Sequence, residues 1–313
     1  MRIAVFGSGA VGGYFGGRLA EAGEELVFIA RGPHLAALRA DGLRITSTKG
    51  DVLIAPAQAT DDPSSVGPVD LILVGVKAWQ VPEAAKAIVP LVGTRTAVLP
   101  LQNGIEAPDQ LAAILGPGPV LGGYCRLLAH IAGPGHIHHT GGEPFIGHGE
   151  LDGVVSERVR EVQRAFARAP GLGAEIAADI RIAMWNKFLF IASLSAVGAY
   201  TELPIGELRT RPETRRLLTE ALAEAVEVAR ADGIRLPDDT LLATLAFIDS
   251  LPHDGTTSMQ RDIASGRPSE LDAQSGAVVR LGDRAGVAVP THRHIYDALL
   301  PKERAARAAQ RAS

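Results

Sequence analysis

The stretch Met1–Gly17, MRIAVFGSGAVGGYFGG, decides the fold. Ile3, Ala4, Val5 and Phe6 form a short apolar run of the kind that fits a strand buried on both faces. Gly7-Ser8-Gly9-Ala10-Val11-Gly12 follows at once, and a helical pattern continues to Glu21. G-x-G-x-x-G between a strand and a helix is a dinucleotide-binding fingerprint. Gly7 permits the tight turn, Gly9 lets the backbone approach a pyrophosphate, and Gly12 lets helix and strand pack closely. Ser8, Ala10 and Val11 complete the loop, and the helix start offers N–H groups and a partial positive charge to phosphate.

Further along, Glu24–Ala30 predicts a second strand, and Arg31 follows it. Folds that bind NAD place an acidic residue about 20 residues beyond the glycines, where it holds the ribose 2′-hydroxyl. No Asp or Glu lies between Leu26 and Ala40, so Arg31 occupies that neighbourhood. A guanidinium there suits a 2′-phosphate, and NADPH is the expected cofactor. Leu43–Thr46 and Val52–Ile54 read as short strands, and Val69–Val74 as a buried one with Lys77 just past its exit. Thr96–Leu99 is another strand, and its exit carries Gln102-Asn103-Gly104. Ligands bind at the carboxyl ends of parallel strands, so Lys77 and Asn103 are candidate site residues.

Val120–His139 changes character, and a hairpin turning at Pro134-Gly135 at the edge of the sheet is expected there. His136, His138 and His139 lack an accompanying Cys or acidic cluster, so no metal site is expected. From Asp179 nearly every segment has helical periodicity: 180–199, 212–232, 238–250, 258–264, 270–285, and a last helix from about His292. The predicted fold class is α/β, with an N-terminal Rossmann-type domain over 1–176 and an all-helical domain over 177–313. The Ala- and Arg-rich tail from Lys302 is expected to fray.

Composition narrows the function classes. With 313 residues, 21% of them charged, and a net charge of −4, the chain has the profile of a soluble enzyme rather than a nucleic-acid binder. Cys125 is the only cysteine and reads as a small buried residue. Met1–Gly17 lacks a sustained signal-peptide core, and Phe188–Tyr200 is shorter than a membrane span. A cytoplasmic protein without nucleic-acid or membrane partners is expected; a homodimer is compatible with this reading.

Taken in order, Gly7–Gly12, Val76-Lys77, Gln102-Asn103-Gly104, Met184-Trp185-Asn186-Lys187-Phe188, Ser258-Met259-Gln260-Arg261-Asp262 and Gly266-Arg267-Pro268-Ser269-Glu270 closely resemble the ketopantoate reductase family across essentially the whole chain. The resemblance implies an NADPH domain, a helical C-terminal domain and an active site in the cleft between them. It implies Lys187 as the acid that protonates the ketone oxygen, and Glu270 as a catalytic residue that binds a substrate hydroxyl and lies toward the cofactor. It further implies Ser258 on the substrate carboxylate, Asn103 near nicotinamide and substrate, and Lys77 on the cofactor side. The chemistry agrees: hydride arriving at a keto carbon leaves charge on oxygen, which a cationic acid stabilises and protonates. Trp185, Phe188 and Phe190 give Lys187 apolar sequence neighbours, which favour proton donation near neutral pH.

This chain also departs from the family. Substrate-side asparagines of pantoate-forming members are replaced here by Ile191, Ser195 and Ile205. The expected reaction is reduction of a 2-keto acid to a 2-hydroxy acid, ketopantoate to pantoate by default, with a less polar keto acid as the alternative. A non-catalytic NADPH sensor and a β-hydroxyacid dehydrogenase are rival readings; the Ser258 and Glu270 motifs fit the second less well.

Overall fold

The computed structural model describes residues 1–312, and side chains up to 310. In chain order the first elements are β1 (Arg2–Phe6), α1 (Ala10–Glu21), β2 (Glu25–Ile29), α2 (Gly32–Asp41), β3 (Leu43–Ser47), β4 (Val52–Ile54) and β5 (Ala59–Thr60). Next come β6 (Val69–Val74), α3 (Val81–Ala87), β7 (Val92–Pro100), α4 (Ala107–Leu115), β8 (Leu121–Gly133), β9 (His136–Glu150), α5 (Glu157–Arg168) and β10 (Gly173–Ile176). Among the described residues seven helices follow: α6 (Ile180–Thr201), α7 (Ile205–Thr210), α8 (Pro212–Ala231), α9 (Thr240–Asp249), α10 (Ser258–Ala264), α11 (Ser275–Ala285) and α12 (Pro290–Ala312). The chain divides into two compact units, residues 1–102 with 107–183, and residues 103–106 with 184 onward. The division thus falls inside α6 rather than at 176/177, and the short segment carrying Asn103 belongs with the helices.

In the first unit, a parallel sheet runs in the order β5-β2-β1-β6-β7. Successive residues of β1 serve opposite faces, as a two-residue period demands. Ile3 and Val5 pack with Tyr14, Phe15 and Leu19 of α1. Ala4 and Phe6 pack with Val81, Ala84 and Ala85 of α3 and Leu111 of α4. A second sheet runs β10-β9-β3-β4, with β8 paired to β9. The expected hairpin therefore exists, but it extends to Glu150 and builds this separate sheet instead of an edge of the first. Its parallel pairing with β3 (Arg44 opposite His136, Ser47 opposite His139) joins segments far apart in sequence.

The helix α1 lies between the two sheets, which explains its paired glycines. A Cβ on Gly12 would stand 3.0 Å from Val5 Cγ1, and one on Gly16 2.6 Å from Val5 Cγ2, both on the parallel sheet. A Cβ on Gly13 would stand 2.2 Å from Ile137 Cδ1, and one on Gly17 2.4 Å from Ile45 Cδ1, both on the second sheet. Residues four apart share a helix face, so the two pairs thin the helix on both sides.

The second unit is helical. Its core joins Leu194, Val197, Leu218, Ile248, Met259, Leu271, Ile295 and Leu299. At 22 residues, α6 is longer than the apolar stretch suggested and long and apolar enough to cross a bilayer, yet 67% of its apolar window is buried within the protein. Its burial on nearly all sides is that of a core helix. Two expectations fail here. Glu270 does not start a helix: α11 begins at Ser275. Nor do the described residues of the tail fray: α12 continues through Pro301 to Ala312, with Glu303 and Ala306 buried, and Ser313 lies outside the described residues. The apolar contact and the hydrogen bonds of Glu303 anchor what local composition alone would release.

Candidate active site

The glycine loop has the geometry that its residues require. Gly7 adopts φ +93°, a left-handed region that costs glycine nothing, and a Cβ there would meet Val76 at 2.7 Å. A Cβ on Gly12 would approach the Gly7 carbonyl oxygen to 2.3 Å. Gly9 differs: the nearest atom to its Cβ position is Ile131 Cδ1 at 3.8 Å, so the backbone there is open to approach. Gly9 also N-caps α1 with no side-chain cap, and no acidic residue stands in the first turn. The N–H groups of Ala10, Val11 and Gly12 are therefore not satisfied by any side-chain cap, at the positive end of the helix dipole. These features fit a dinucleotide pyrophosphate.

Ser8 contributes differently from its neighbours. Its hydroxyl is buried and donates to the Ile29 carbonyl (3.2 Å), so only its backbone is open to serve a ligand. Its own carbonyl accepts from His34 Nε2 (2.8 Å), while His34 Nδ1 accepts from the Gly135 N–H (3.1 Å). His34 thus holds the Nε2–H tautomer and ties the glycine loop to the hairpin turn. Sequence reading missed it, because its partners lie 26 and 101 positions away and leave no local signal.

Arg31 stands at the exit of β2 as N-cap of α2, exposed and without an ion pair among the described residues. Arg39 is otherwise engaged, its Nε donating to the Ala59 carbonyl at 3.0 Å and its Nη2 3.8 Å from Asp61. Lys77 is exposed past β6, its Nζ 5.9 Å from the Trp79 ring centroid. The buried amide of Gln102 donates to the carbonyls of Val74 (2.7 Å) and Val76 (2.9 Å), fastening the ends of β6 and β7 together.

The second unit carries Lys187, Asn103, Ser258 and Glu270. Lys187, Ile191 and Ser195 recur every four residues along α6 and share one face. Lys187 Nζ is buried and has no hydrogen-bond partner among the described residues, and the same holds for Ser195 Oγ. Trp185 and Phe188 are 2% exposed each and pack edge to face. A buried ammonium lacking a partner is costly, and such groups occur where a ligand supplies the missing acceptor. Asn103 Nδ2 donates to Glu270 Oε2 (3.2 Å), a contact across 167 positions. Glu270 is itself buried, in a turn five residues ahead of α11, so the helix dipole does not account for its place.

Ser258 is the first residue of α10, but Thr257 is the cap: its hydroxyl oxygen accepts the Gln260 N–H (3.3 Å). Capping therefore does not explain Ser258, which is half-buried. Ile191 is half-buried on the face of α6 that carries Lys187. Ile205 is instead a core residue beside Leu208, so its replacement of a polar residue answers to packing. Two of the clustered histidines of β9 have hydrogen-bond partners: His136 Nε2 meets Thr46 Oγ1 (2.9 Å) and His139 Nδ1 meets Ser47 Oγ (2.8 Å). Cys125 is buried against the Leu101 carbonyl.

With this geometry in view, two family models match: "Ketopantoate reductase PanE/ApbA" over residues 3–153 and its C-terminal counterpart over residues 179–303. The chain belongs to the ketopantoate reductase family. It is 32% identical over 312 residues to a 2-dehydropantoate 2-reductase of Mesorhizobium japonicum, covering 93% of this chain and 94% of that one. A crystal structure of a PanE/ApbA family ketopantoate reductase from Ralstonia eutropha JMP134 superposes with a TM-score of 0.88 at 34% identity, covering 98% and 100% of the two chains. A D-mandelate dehydrogenase solved with NADH and anilino(oxo)acetate shares the fold at 23% identity, with a TM-score of 0.87 and coverage of 98% and 99%. This ketopantoate reductase family member is an oxidoreductase of the 2-keto acid reductase type, and the family draws on a nicotinamide cofactor.

Proposed function

We propose that the protein reduces a 2-keto acid to its 2-hydroxy acid with NADPH, ketopantoate being the default substrate. The observation that carries this reading is the buried Nζ of Lys187, unpartnered among the described residues and in the same unit as the Asn103–Glu270 pair. NADPH, when bound, supplies the hydride. On this chain, the glycine loop holds the pyrophosphate through the α1 N–H groups, and Arg31 takes the 2′-phosphate. Lys187 stabilises the developing alkoxide and donates its proton to that oxygen. Ser258 binds the substrate carboxylate, and Glu270, oriented by Asn103, accepts from a substrate hydroxyl.

A second reading, a less polar keto acid, is favoured by Ile191 alone, which stands half-buried on the Lys187 face of α6. Apolar surface discriminates weakly against a missing hydroxyl, whereas a polar site discriminates strongly. The experiment is NADPH oxidation with ketopantoate and with 2-ketoisovalerate. A kcat/KM ratio above about a hundred in favour of ketopantoate assigns the first substrate, and comparable values assign the second. No oxidation with any 2-keto acid in a protein that binds NADPH would overturn both.

A further inference from the structure

We propose that Glu303, on the C-terminal helix, is a positioning residue for Glu270; the proposal rests on the keto acid reductase reading. Glu270 lies outside any helix, in the turn over residues 269–274, where its carbonyl accepts the Gln274 N–H (3.0 Å). Ser269, the residue immediately before it, is fully buried. Glu303, 3% exposed, accepts from the Ser269 N–H at 2.9 Å (3.2 Å to its other oxygen) and from the Ser269 hydroxyl at 2.6 Å. One helical turn on, Arg307 Nε donates to Glu303 Oε1 (2.5 Å), and Arg307 Nη2 donates to the Ser269 carbonyl (3.2 Å). The Ser269 hydroxyl oxygen also accepts the Leu271 N–H (3.2 Å). Through Ser269, α12 therefore holds peptide groups on both sides of Glu270.

The chemistry of the brace favours orientation over stability. An ion pair with one partner buried, as Glu303 is and Arg307 only in part, stabilises folding little relative to an apolar replacement, because desolvation offsets its attraction. What it supplies is direction: short, charge-assisted bonds with tight geometry. A carboxylate that must meet a substrate needs that precision, since small displacements of reacting groups cost large factors in rate. The carboxylate end is fixed separately, by Asn103 Nδ2. The residues that sequence composition marks as a fraying tail thus place a residue of the site.

The test is Glu303→Gln, which keeps the size but turns an NH2 group toward the donors of Ser269 and Arg307. Keto acid kcat/KM is expected to fall at least tenfold, with the NADPH dissociation constant changed less than twofold. Ser269→Ala should fall part of the way, and Glu303→Gln added to it should cost less than in the parent. Leu299→Ala is the control, a buried residue of the same helix outside this network. It should lower Tm yet leave kcat/KM within twofold at a temperature where the protein is folded. Hydrogen exchange at the amides of residues 269–274 should quicken in Glu303→Gln and not in Leu299→Ala. Equal activity losses in Glu303→Gln and Leu299→Ala, or unchanged exchange in Glu303→Gln, overturns the brace. Absence of keto acid turnover in the parent overturns the reductase reading, and exchange then decides the brace by itself.

Discussion

Lys187→Met separates the catalytic use of Lys187 from a structural one by opposite signs in two assays. The substitution keeps an unbranched side chain of similar length and removes the ammonium. In the free protein Lys187 Nζ is buried without a hydrogen-bond partner among the described residues, so no bond is lost and a desolvation penalty is relieved. A buried polar group left unsatisfied costs about 1–3 kcal/mol. Lys187→Met is therefore expected to be as stable as the parent or more so, by up to about that amount, with Tm unchanged or raised by a few degrees. Turnover should move the other way. The lost general acid is worth about 10²–10⁴ in rate, read as NADPH oxidation with saturating keto acid. NADPH titration should stay within twofold, because the glycine loop and Arg31 are untouched. A variant that loses several degrees of Tm while keeping kcat within fivefold would refute the reasoning, for Lys187 would then be a structural residue.

Four further outcomes follow from particular side chains. Arg31→Ala should erase most of an NADPH-over-NADH preference that is tenfold or more in the parent, since a charge-assisted contact is worth roughly 1.5–3 kcal/mol; equal dissociation constants in the parent would sink the assignment. Burial holds the rings of His148 and His292 down to about 4, so the unfolded chain binds protons first as pH falls. Stability is present above about pH 6.5 and is lost progressively toward pH 4, about 2 kcal/mol per histidine by pH 5; denaturant titration at pH 7 and pH 5 measures it, and His292→Gln should remove its share of the slope. Gln274→Leu removes an amide buried with neither end partnered among the described residues, so the free protein should gain stability in urea; a loss above 1 kcal/mol would show that the amide has a partner. Gly13→Ala, whose Cβ would stand 2.2 Å from Ile137 Cδ1 and 2.9 Å from the Ser8 carbonyl, should lower stability by about 1–3 kcal/mol, and an unchanged Tm would show that α1 has room on that face.

The nucleotide-binding half was legible in the sequence because its signals are local. A buried strand, a G-x-G-x-x-G turn and a helix start occupy residues 2–12, and each step is dictated by near neighbours: Gly7 by its backbone, Gly12 by the strand it crosses, Arg31 by its place after β2. The all-helical character of the second half is local for the same reason, since a helical period repeats within one turn and the half holds long runs of it. Individual site residues entered through short motifs, which carry the residue type and its element but not its partners.

What only the tertiary structure decided lies in pairings between distant segments. Nothing near His136 announces that β9 pairs in parallel with β3, yet that pairing makes the second sheet and gives Gly13 and Gly17 their purpose. Nothing near Asn103 announces Glu270, 167 residues on, and nothing in an Ala- and Arg-rich tail announces that Glu303 holds Ser269. Such contacts carry no periodicity, because each requires its chain ends to be brought together before it contributes anything, and many arrangements satisfy the same local pattern. Sequence therefore determined the elements and the chemistry they carry; the folded chain decided which buried polar groups meet, since those without a partner are too costly to leave to chance.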